Sequence, residues 1–437
     1  MPHKIILMVF IVPLHFLLAD SARDIILKLL KGHPELRSVE EEYKKVRADA
    51  EHSATYPDPK IGFSYKNYPY GSINPGRPDL PGMAGKEVMI SQEIPFPGKL
   101  TKEKNAKKLN AEEYKHLLNS YRNSFIRDLA ERQIKMSILQ NKIKHYESMQ
   151  KVYSSLSKIS GSNYSAGKTS ILSTLESKIS ISEVGDELIK NRTEYGEILE
   201  SLHYYEQEPV VFVDDILKAD FKSYLDTKRS ELVSGVQNLA TNNQNYKLQV
   251  KSIQKAQAEE KLNDVLHYPD VEVFFAYMKR HNKQFMVDTG PLDYRIMDRT
   301  EYMGDLMSFG VTVRVPVWSF FTDSDLKEKS KSEIKANFFK AEKVKKEIEA
   351  KLKSTIASLK GTEERLKHYN SVLLPDLERA VNGSKAEYSS GKIGLVSILF
   401  SQVQLIKAKI VREELTEKRY SLISQLLELT DTIVPNN

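Results

Sequence analysis

The spacing of apolar residues predicts a mainly α-helical chain that also contains four short strands. In six segments the apolar residues recur every three or four positions, which is the period of an amphipathic helix. These predicted helices cover about 23–55, 98–162, 169–205, 224–266, 323–388 and 395–429. Four other segments alternate between apolar and polar residues, as half-buried strands do. These predicted strands cover about 61–68, 86–94, 271–281 and 305–315.

The helix predicted over 98–162 is unusually long. No proline or glycine interrupts most of this segment, and at 1.5 Å per residue it would extend roughly 90–100 Å. Such a length without a stop signal favours a coiled coil, in which neighbouring helices cover the apolar stripe. The helix over 323–388 contains Pro375, which predicts a kink. Turn residues predict a long loop over about 282–303, between the last two strands.

Three motifs occur twice, in the same order, at separations of about 212 to 224 residues. They are Tyr56-Pro57-Asp58 with Tyr268-Pro269-Asp270, Ile94-Pro95-Phe96-Pro97-Gly98 with Val315-Pro316-Val317-Trp318, and Tyr164-Ser165-Ala166-Gly167-Lys168 with Tyr388-Ser389-Ser390-Gly391-Lys392. Each half therefore reads as helix, strand, loop, strand, proline, long helix, glycine turn and long helix. We interpret residues 22–208 and 209–430 as two structural repeats, followed by a C-terminal tail over 431–437.

Residues 1–21 have the pattern of a secretory signal peptide. His3 and Lys4 precede an apolar run over 5–18, and the small residues that follow suit a cleavage site. The run is short for a transmembrane helix, and a proline and a histidine interrupt it. The alternative interpretation of this segment is a buried N-terminal helix.

The composition indicates a folded chain with a large solvated surface. Apolar residues make up 40% and charged residues 28%, and the net charge of +6 does not indicate nucleic acid as a partner. The sequence contains no cysteine, which excludes disulfides, cysteine metal sites and a lipid anchor on an N-terminal cysteine. No segment after the first 21 residues is apolar over the roughly 18 positions of a transmembrane helix. Any membrane-spanning part is therefore expected to be a closed barrel.

No grouping of residues supports catalysis or a bound cofactor. Gly167-Lys168-Thr169 resembles part of a phosphate-binding loop, but that loop needs four residues between its glycines and a preceding strand. Here five residues separate Gly161 from Gly167, a predicted helix precedes them, and the second copy has Ile393 where a hydroxyl is needed. The ten histidines show no metal-ligand spacing. The sequence predicts neither an enzyme, nor a metal site, nor a cofactor.

The strands predict an oligomer. Bacterial membrane barrels have at least eight strands, so four cannot close one, whereas two chains would supply eight and three would supply twelve. The long helices also need neighbours to bury their apolar stripes. Aromatic residues near the strands are expected at the membrane interfaces or in the core. These are Phe63, Tyr65, Tyr68, Tyr70, Phe274, Phe275, Tyr277, Phe309 and Trp318.

The doubled strand pairs, proline exits and Tyr-x-x-Gly turns resemble the TolC-type outer membrane efflux proteins, or outer membrane factors. The resemblance extends over about 25–430, and the run Ser91-Gln-Glu-Ile-Pro-Phe-Pro-Gly-Lys99 resembles the metal-efflux branch. It implies a homotrimer in which each chain gives four strands to one twelve-stranded transmembrane β-barrel. Long antiparallel helical hairpins would form an α-barrel across the periplasm. The implied partners are outer membrane lipid, a periplasmic adaptor protein and an inner-membrane pump.

The function implied by the resemblance is a passive duct of the outer membrane that extends into the periplasm. It would serve a tripartite efflux system or a type I secretion system. The alternative interpretation is a periplasmic coiled-coil adaptor or scaffold without a barrel, because such proteins also contain long helical hairpins. The two strand pairs with their long loops, placed between helices, favour the channel.

The resemblance also implies roles for individual residues. The hairpin tips would contact the adaptor through Gly167, Lys168, Thr169, Gly391, Lys392 and Ile393. The two glycines could equally serve only to turn the chain. Counting from the tips, an acidic ring at the periplasmic mouth of the best-known member falls on Ser397 and Phe400. Ser173 and Glu176 occupy the matching positions of the first half, so Glu176 could supply part of such a ring.

A third set of residues would redirect the chain from barrel strand to helix. Proline cannot donate to a strand ladder and suits the first turn of a helix. These residues are Pro95, Pro97, Gly98 and Pro316.

Overall fold

The computed structural model describes residues 22–68, 83–168, 170–232, 239–288 and 294–435. The predicted signal peptide over 1–21 and the tip residue Thr169 therefore lie outside the described residues. Within those ranges, none of the helices combines the length and the apolar character needed to cross a membrane.

Helices make up most of the described chain. They are α1 (Ala22–Gly32), α2 (Pro34–His52), α3 (Lys99–Ser165), α4 (Ile171–Leu202), α5 (Val213–Lys218), α6 (Phe221–Leu232), α7 (Leu239–Asn242), α8 (Gln244–Leu266), α9 (Ser319–His368), α10 (Leu374–Ser389) and α11 (Leu395–Leu429). A 3-10 turn follows α4, and a π-helical segment joins α9 to α10. With 67 residues in α3 and 50 in α9, the chain is mainly α-helical, as its apolar spacing predicts.

The strands form two separate antiparallel sheets. They are β1 (Lys60–Lys66), β2 (Gly85–Ile94), β3 (Asp270–Arg280), β4 (Lys283–Asp288), β5 (Tyr294–Glu301) and β6 (Leu306–Arg314). The larger sheet has the order β1-β2-β3-β6 and contains the four strands that alternation predicts. The loop prediction over 282–303 is wrong, because β4 and β5 pair as a two-stranded ladder there. Gly290-Pro291 lies between these strands in the sequence, outside the described residues.

Two of the predicted helices are interrupted next to a proline. The helix predicted over 23–55 divides before Pro34, which has no N–H to give to the preceding turn and suits the start of α2. In the helix predicted over 323–388, the turn before Pro375 widens, and the Leu374 N–H bonds to the Tyr369 carbonyl five residues back. A π-helical segment therefore precedes Pro375, and the kink itself stays a prediction.

The helix predicted over 224–266 corresponds in the described residues to α6, α7 and α8, with a break at Asn243 between α7 and α8. Asn243 lies immediately before α8, and its side-chain oxygen accepts the Asn245 N–H over 2.9 Å. A side chain that satisfies an otherwise unpaired N–H in this way starts a new helix. No apolar residue lies between Ala240 and Tyr246, so the polar run over 241–245 is the sequence signal of this break.

The chain divides into two compact units. The first comprises residues up to Glu42, Lys115–Leu248 and Ala341 onward, and the second comprises Tyr43–Tyr114 and Gln249–Lys340. The core of the first unit is formed by α1, α3, α6, α9 and α11, with Ile25, Leu29, Leu129, Leu139, Phe221, Leu225, Ile423 and Leu427 almost fully buried. The second unit contains the four-stranded sheet.

A group of charged side chains ties three helices of the first unit together. Arg419 on α11 donates to Asp226 on α6 over 2.7 Å and to Glu363 on α9 over 3.1 Å. Glu363 also accepts from Arg229 over 2.8 Å, and Tyr420 donates to Asp226 over 2.9 Å. Burial alone would raise the pKa of Glu363, but hydrogen bonds from Arg229 and Arg419 bring that pKa below its ordinary value. The carboxylate is therefore held in its charged form between the two guanidinium groups.

Candidate functional surfaces

The register of the four-stranded sheet sorts its side chains onto two different faces. Residues opposite each other on adjacent strands point to the same face, and successive residues alternate between faces. One row across the sheet consists of Ile61, Ile90, Phe275 and Phe309. Other apolar residues on this side are Phe63, Tyr65, Val88, Val273, Tyr277, Val311 and Val313. We call these eleven residues the apolar face and the opposite side the polar face.

On the central strands β2 and β3, the apolar face is the exposed side of the sheet: Ile90 and Phe275 expose 45% and 46% of their surface, whereas Glu87 and Ser91 on the polar face expose only 7% and 4%. The edge strands β1 and β6 are exposed on both faces, and there Phe309 and Phe63 expose 86% and 79%. A sheet folded for water has the opposite arrangement, because exposed apolar surface costs roughly 25 cal/mol per Å². The sheet is therefore built to place its apolar side chains against a non-aqueous neighbour.

Charged and hydroxyl groups on the polar face are paired across strands. Lys66 of β1 lies 2.7 Å from Glu87 of β2, and Ser91 of β2 donates to Glu272 of β3 over 2.6 Å. Arg314 of β6 donates over 3.1 Å to a carboxylate of β2, reaching across β3. These pairs satisfy charges and hydroxyl groups on the polar face that would otherwise have no partner.

The predicted strand-to-helix turns lie between strand and helix in both halves. Pro95, Pro97 and Gly98 separate β2 from α3, and Pro316 lies between β6 and α9. Gly98 has φ +95°, a conformation that residues with a side chain rarely adopt. The prolines cannot donate to the strand ladder, so they end it where the helices begin.

A contact that the sequence patterns did not predict stabilises the first of these turns. The Asp270 carboxylate, at the start of β3, accepts from the Phe96 N–H over 2.8 Å and from Lys99 Nζ over 2.8 Å. The rings of Phe96 and Tyr268 stack with centroids 4.4 Å apart. The repeated Tyr-Pro-Asp motif is the signal that could have revealed it, since Tyr268 and Asp270 are the first and third residues of its second copy.

The aromatic residues near the strands divide between the two faces. Phe63, Tyr65, Phe275, Tyr277 and Phe309 belong to the apolar face. Phe274 is on the polar face, where a Cβ added to Gly310 would come within 2.6 Å of its ring. Gly310 is therefore needed for this close approach, and Tyr70 lies outside the described residues.

The two hairpin tips have the same backbone structure. Gly167 follows α3 with φ +68°, and Gly391 follows α10 with φ +74°. At each tip the glycine N–H bonds to the carbonyl three residues back, and the next lysine N–H bonds to the carbonyl five residues back, all over 2.9 Å. This Schellman arrangement satisfies carbonyls that the helix end would leave unpaired. Both glycines are therefore helix caps.

Both tips lie at the same end of one group of helices in the first unit. Met149 of α3, Val184 of α4 and Ile410 of α11 pack together in a small apolar cluster. Ser384 of α10 and Ser401 of α11 lie 3.1 Å apart. These contacts occur at comparable distances along the chain from Gly167 and Gly391, so the two turns are side by side at one end.

The tip surface combines cationic and apolar side chains. Lys168 and Lys392 are exposed, and Ile393 is half-buried. Ile171 and Leu172 start α4 with 52% and 59% of their surface exposed. Exposed apolar residues beside polar ones are typical of a surface that contacts another protein.

The four residues assigned to the mouth lie in the first turns after the tips. Ser173 and Glu176 are on α4, and Ser397 and Phe400 are on α11. Ser173 Oγ donates to the Ser170 carbonyl over 3.0 Å, and Phe400 exposes 61% of its surface. Among the described residues of one chain, no hydrogen bond joins these four side chains.

Gly167→Ala and Gly391→Ala are each expected to lower the free energy of unfolding by about 1 kcal/mol. A residue with a Cβ is strained at positive φ, although the Cβ itself would meet nothing within 4 Å at either site. Gly161→Ala is the matched control inside α3, where alanine also meets nothing and favours the helix by about 0.5–1 kcal/mol. Urea unfolding followed by circular dichroism measures these opposite signs. Equal changes in the free energy of unfolding at positions 161 and 167 would contradict the role of Gly167 as a helix cap.

No protein-family model and no curated protein sequence matches this chain. Solved structures do match it. The outer membrane protein VceC from Vibrio cholerae has a TM-score of 0.69 at 12% identity, over 95% of this chain and 97% of its own. The outer membrane channel CmeC from Campylobacter jejuni has a TM-score of 0.69 at 9% identity, over 94% of this chain and 86% of its own. CusC, which undergoes transmembrane channel formation, has a TM-score of 0.68 at 11% identity, over 94% of this chain and 92% of its own. The chain therefore has the fold of outer membrane channel proteins.

Proposed function

We propose that this protein is the outer membrane channel of a tripartite efflux system or a type I secretion system. The observation that carries the proposal is the sheet with an exposed apolar face and a polar face of paired charges. Transmembrane barrels alternate in the same way, with apolar side chains toward lipid and polar ones toward a water-filled interior. The fold shared with outer membrane channels supports the same conclusion. A periplasmic scaffold would be surrounded by water, in which the exposed apolar face is unfavourable.

The proposed assembly is a homotrimer. In lipid every backbone N–H and C=O must be bonded, so a four-stranded sheet with two free edges has to join other strands. Three copies would supply twelve strands to one barrel, within the range of known outer membrane barrels. The long hairpins of α3 with α4, and of α9 and α10 with α11, would pack as coiled coils into an α-barrel in the periplasm. Residues 1–21 would direct export of the chain.

The duct is passive in this proposal, and an inner-membrane pump supplies the energy through a periplasmic adaptor. The adaptor would contact the tip residues, and the tip turns of α4 and α11 would line the mouth. Of the four positions assigned to the mouth, Glu176 is the single carboxylate, so a ring of acidic residues at Ser397 and Phe400 is not available to select cations. The run 91–99 makes metal ions the first class of cargo to test.

Single-channel conductance in planar bilayers tests the proposed function. The protein is purified in detergent, and its mass is determined in the same preparation. A trimer that gives discrete, long-lived conductance steps is the expected result. A monomer that stays soluble without detergent and conducts no ions would favour the periplasmic scaffold and overturn the channel.

Phe309→Arg is expected to prevent stable insertion into the outer membrane. Phe309 lies on the apolar face, where a cation in lipid costs about 2–4 kcal/mol near the bilayer midplane. Ser308→Arg is the matched control, because the neighbouring residue points to the polar face and is also exposed. The amount of protein in outer membrane fractions, and its conductance, report both variants. Equal insertion of the two proteins would contradict the assignment of the faces.

The double variant Lys168→Glu and Lys392→Glu is expected to reduce adaptor binding several-fold, because it reverses two exposed charges at the tips. A photoreactive residue in place of Tyr164, which is exposed beside the first tip, captures the adaptor in intact cells. Lys353→Glu with Lys360→Glu is the control, since these exposed lysines lie on α9 away from both turns. An unchanged yield of cross-linked adaptor would rule out the tip contact.

A further inference from the structure

The two outer strands of the sheet have unused edges. In the order β1-β2-β3-β6, β1 pairs only with β2 and β6 pairs only with β3 in the described residues. Both edge strands carry exposed apolar residues, including Phe63 and Val311. A long apolar edge with free N–H and C=O groups is a template for another strand. The sheet therefore needs a strand at each edge.

The two hairpins of the sheet share one geometry. Residues of β1 correspond to residues of β3 that lie 212 positions later, and residues of β2 to residues of β6 that lie 221 positions later. The motifs Tyr-Pro-Asp and Ile-Pro-Phe give these two offsets before any contact is considered. When 212 is added to the β1 residue number and 221 to the β2 residue number, each β1·β2 pair gives an observed β3·β6 pair. Examples are Lys60↔Ser91 with Glu272↔Thr312, Ile61↔Ile90 with Val273↔Val311, and Phe63↔Val88 with Phe275↔Phe309.

The ladder between β2 and β3 joins the second strand of one half to the first strand of the next half. If 221 is added to each β2 residue number and 212 is subtracted from each β3 residue number, this ladder becomes a pairing between β6 of one chain and β1 of another. Val88↔Tyr277, Ile90↔Phe275 and Gln92↔Val273 become Phe309↔Tyr65, Val311↔Phe63 and Val313↔Ile61. We propose that a second copy of this chain binds the β6 edge through its β1 strand in this register.

The chemistry of the paired side chains agrees with that register. All six residues of these three pairs belong to the apolar face, so the face continues from one chain to the next. Between them, Thr312 comes opposite Gly62 and Gly310 comes opposite Ser64, which keeps small and polar groups on the polar face. A shift of one residue would turn every apolar side chain of the incoming strand toward the polar face. Shifts of two residues would preserve the faces, and the observed β2·β3 ladder selects among them.

The contact is head-to-tail, since the β6 edge of one chain meets the β1 edge of the next. Such a contact forms a closed ring when the rotation between chains closes. The inference rests on the proposed function, because it identifies the partner that the membrane sheet requires and the residues through which that partner binds.

Cysteine cross-linking tests the register directly, because the chain contains no cysteine of its own. The matched pairs are Val311→Cys with Phe63→Cys, and Thr312→Cys with Gly62→Cys. Adjacent pairs in an antiparallel ladder alternate between hydrogen-bonded and non-hydrogen-bonded positions, so one of these has the closer Cα atoms. A Cβ at position 62 meets only the Met89 side chain, at 3.7 Å, so cysteine fits there. The shifted controls combine Val311→Cys with Ile61→Cys or with Tyr65→Cys.

Oxidised membranes containing a matched pair are expected to show covalent oligomers up to the trimer on non-reducing gels. Their yield should exceed that of the shifted pairs several-fold, because diagonal positions are about 7–8 Å apart and a disulfide spans less than about 7 Å. Each single cysteine variant should remain monomeric on the gel. More efficient cross-linking of a shifted pair would overturn the register.

The outcomes separate this inference from the proposed function. If trimers conduct ions but neither matched pair cross-links, the register is wrong and the channel stands. If the protein is monomeric and conducts no ions, the channel and the register both fall.

Discussion

A sheet with its apolar side exposed is the constraint on which the rest of this structure depends. Residues such as Phe309 and Phe63 would be buried in a protein that folds alone in water, yet here the buried positions of β2 belong to Glu87 and Ser91. The hydrophobic effect that drives folding elsewhere in the chain cannot act on this surface until another apolar phase covers it. In the proposed channel, lipid would cover the apolar face but could not bond the strand edges, so the sheet would need further strands as well as a membrane.

The chain reverses direction at the two hairpin tips, where the ends of the helices would otherwise leave backbone groups without hydrogen bonds. At each tip a glycine at positive φ lets two N–H groups return to carbonyls of the last turn. The glycines are required by backbone conformation and not by space, because a Cβ at either site would meet nothing. Since the helix ends are satisfied internally, the exposed side chains around them are free to bind a partner.

Much of the fold could be predicted because its signals are local. Period-two alternation revealed the four strands, but alternation is the same whether the apolar side faces a core or lipid, so it could not say that the apolar side is exposed. Proline and glycine positions located the turns, but they do not mark Asn243, whose side chain caps the start of α8. Contacts such as that of Asp226 with Arg419 join residues far apart in the sequence, and no local pattern predicts them.

The junction between sheet and helix shows why the two halves are similar but not equivalent. Asp270 fastens the exit of β2 through the Phe96 N–H and Lys99 Nζ. By the offsets of the strands, Asp58 stands where Asp270 does, and Phe320 stands where Lys99 does. Asp58 is exposed in the single chain. In a neighbouring copy, the position equivalent to Lys99 has no ammonium group to form an ion pair with the Asp58 carboxylate. In the proposed ring of chains, the junction within a chain would therefore carry an ion pair that the junction between chains would lack.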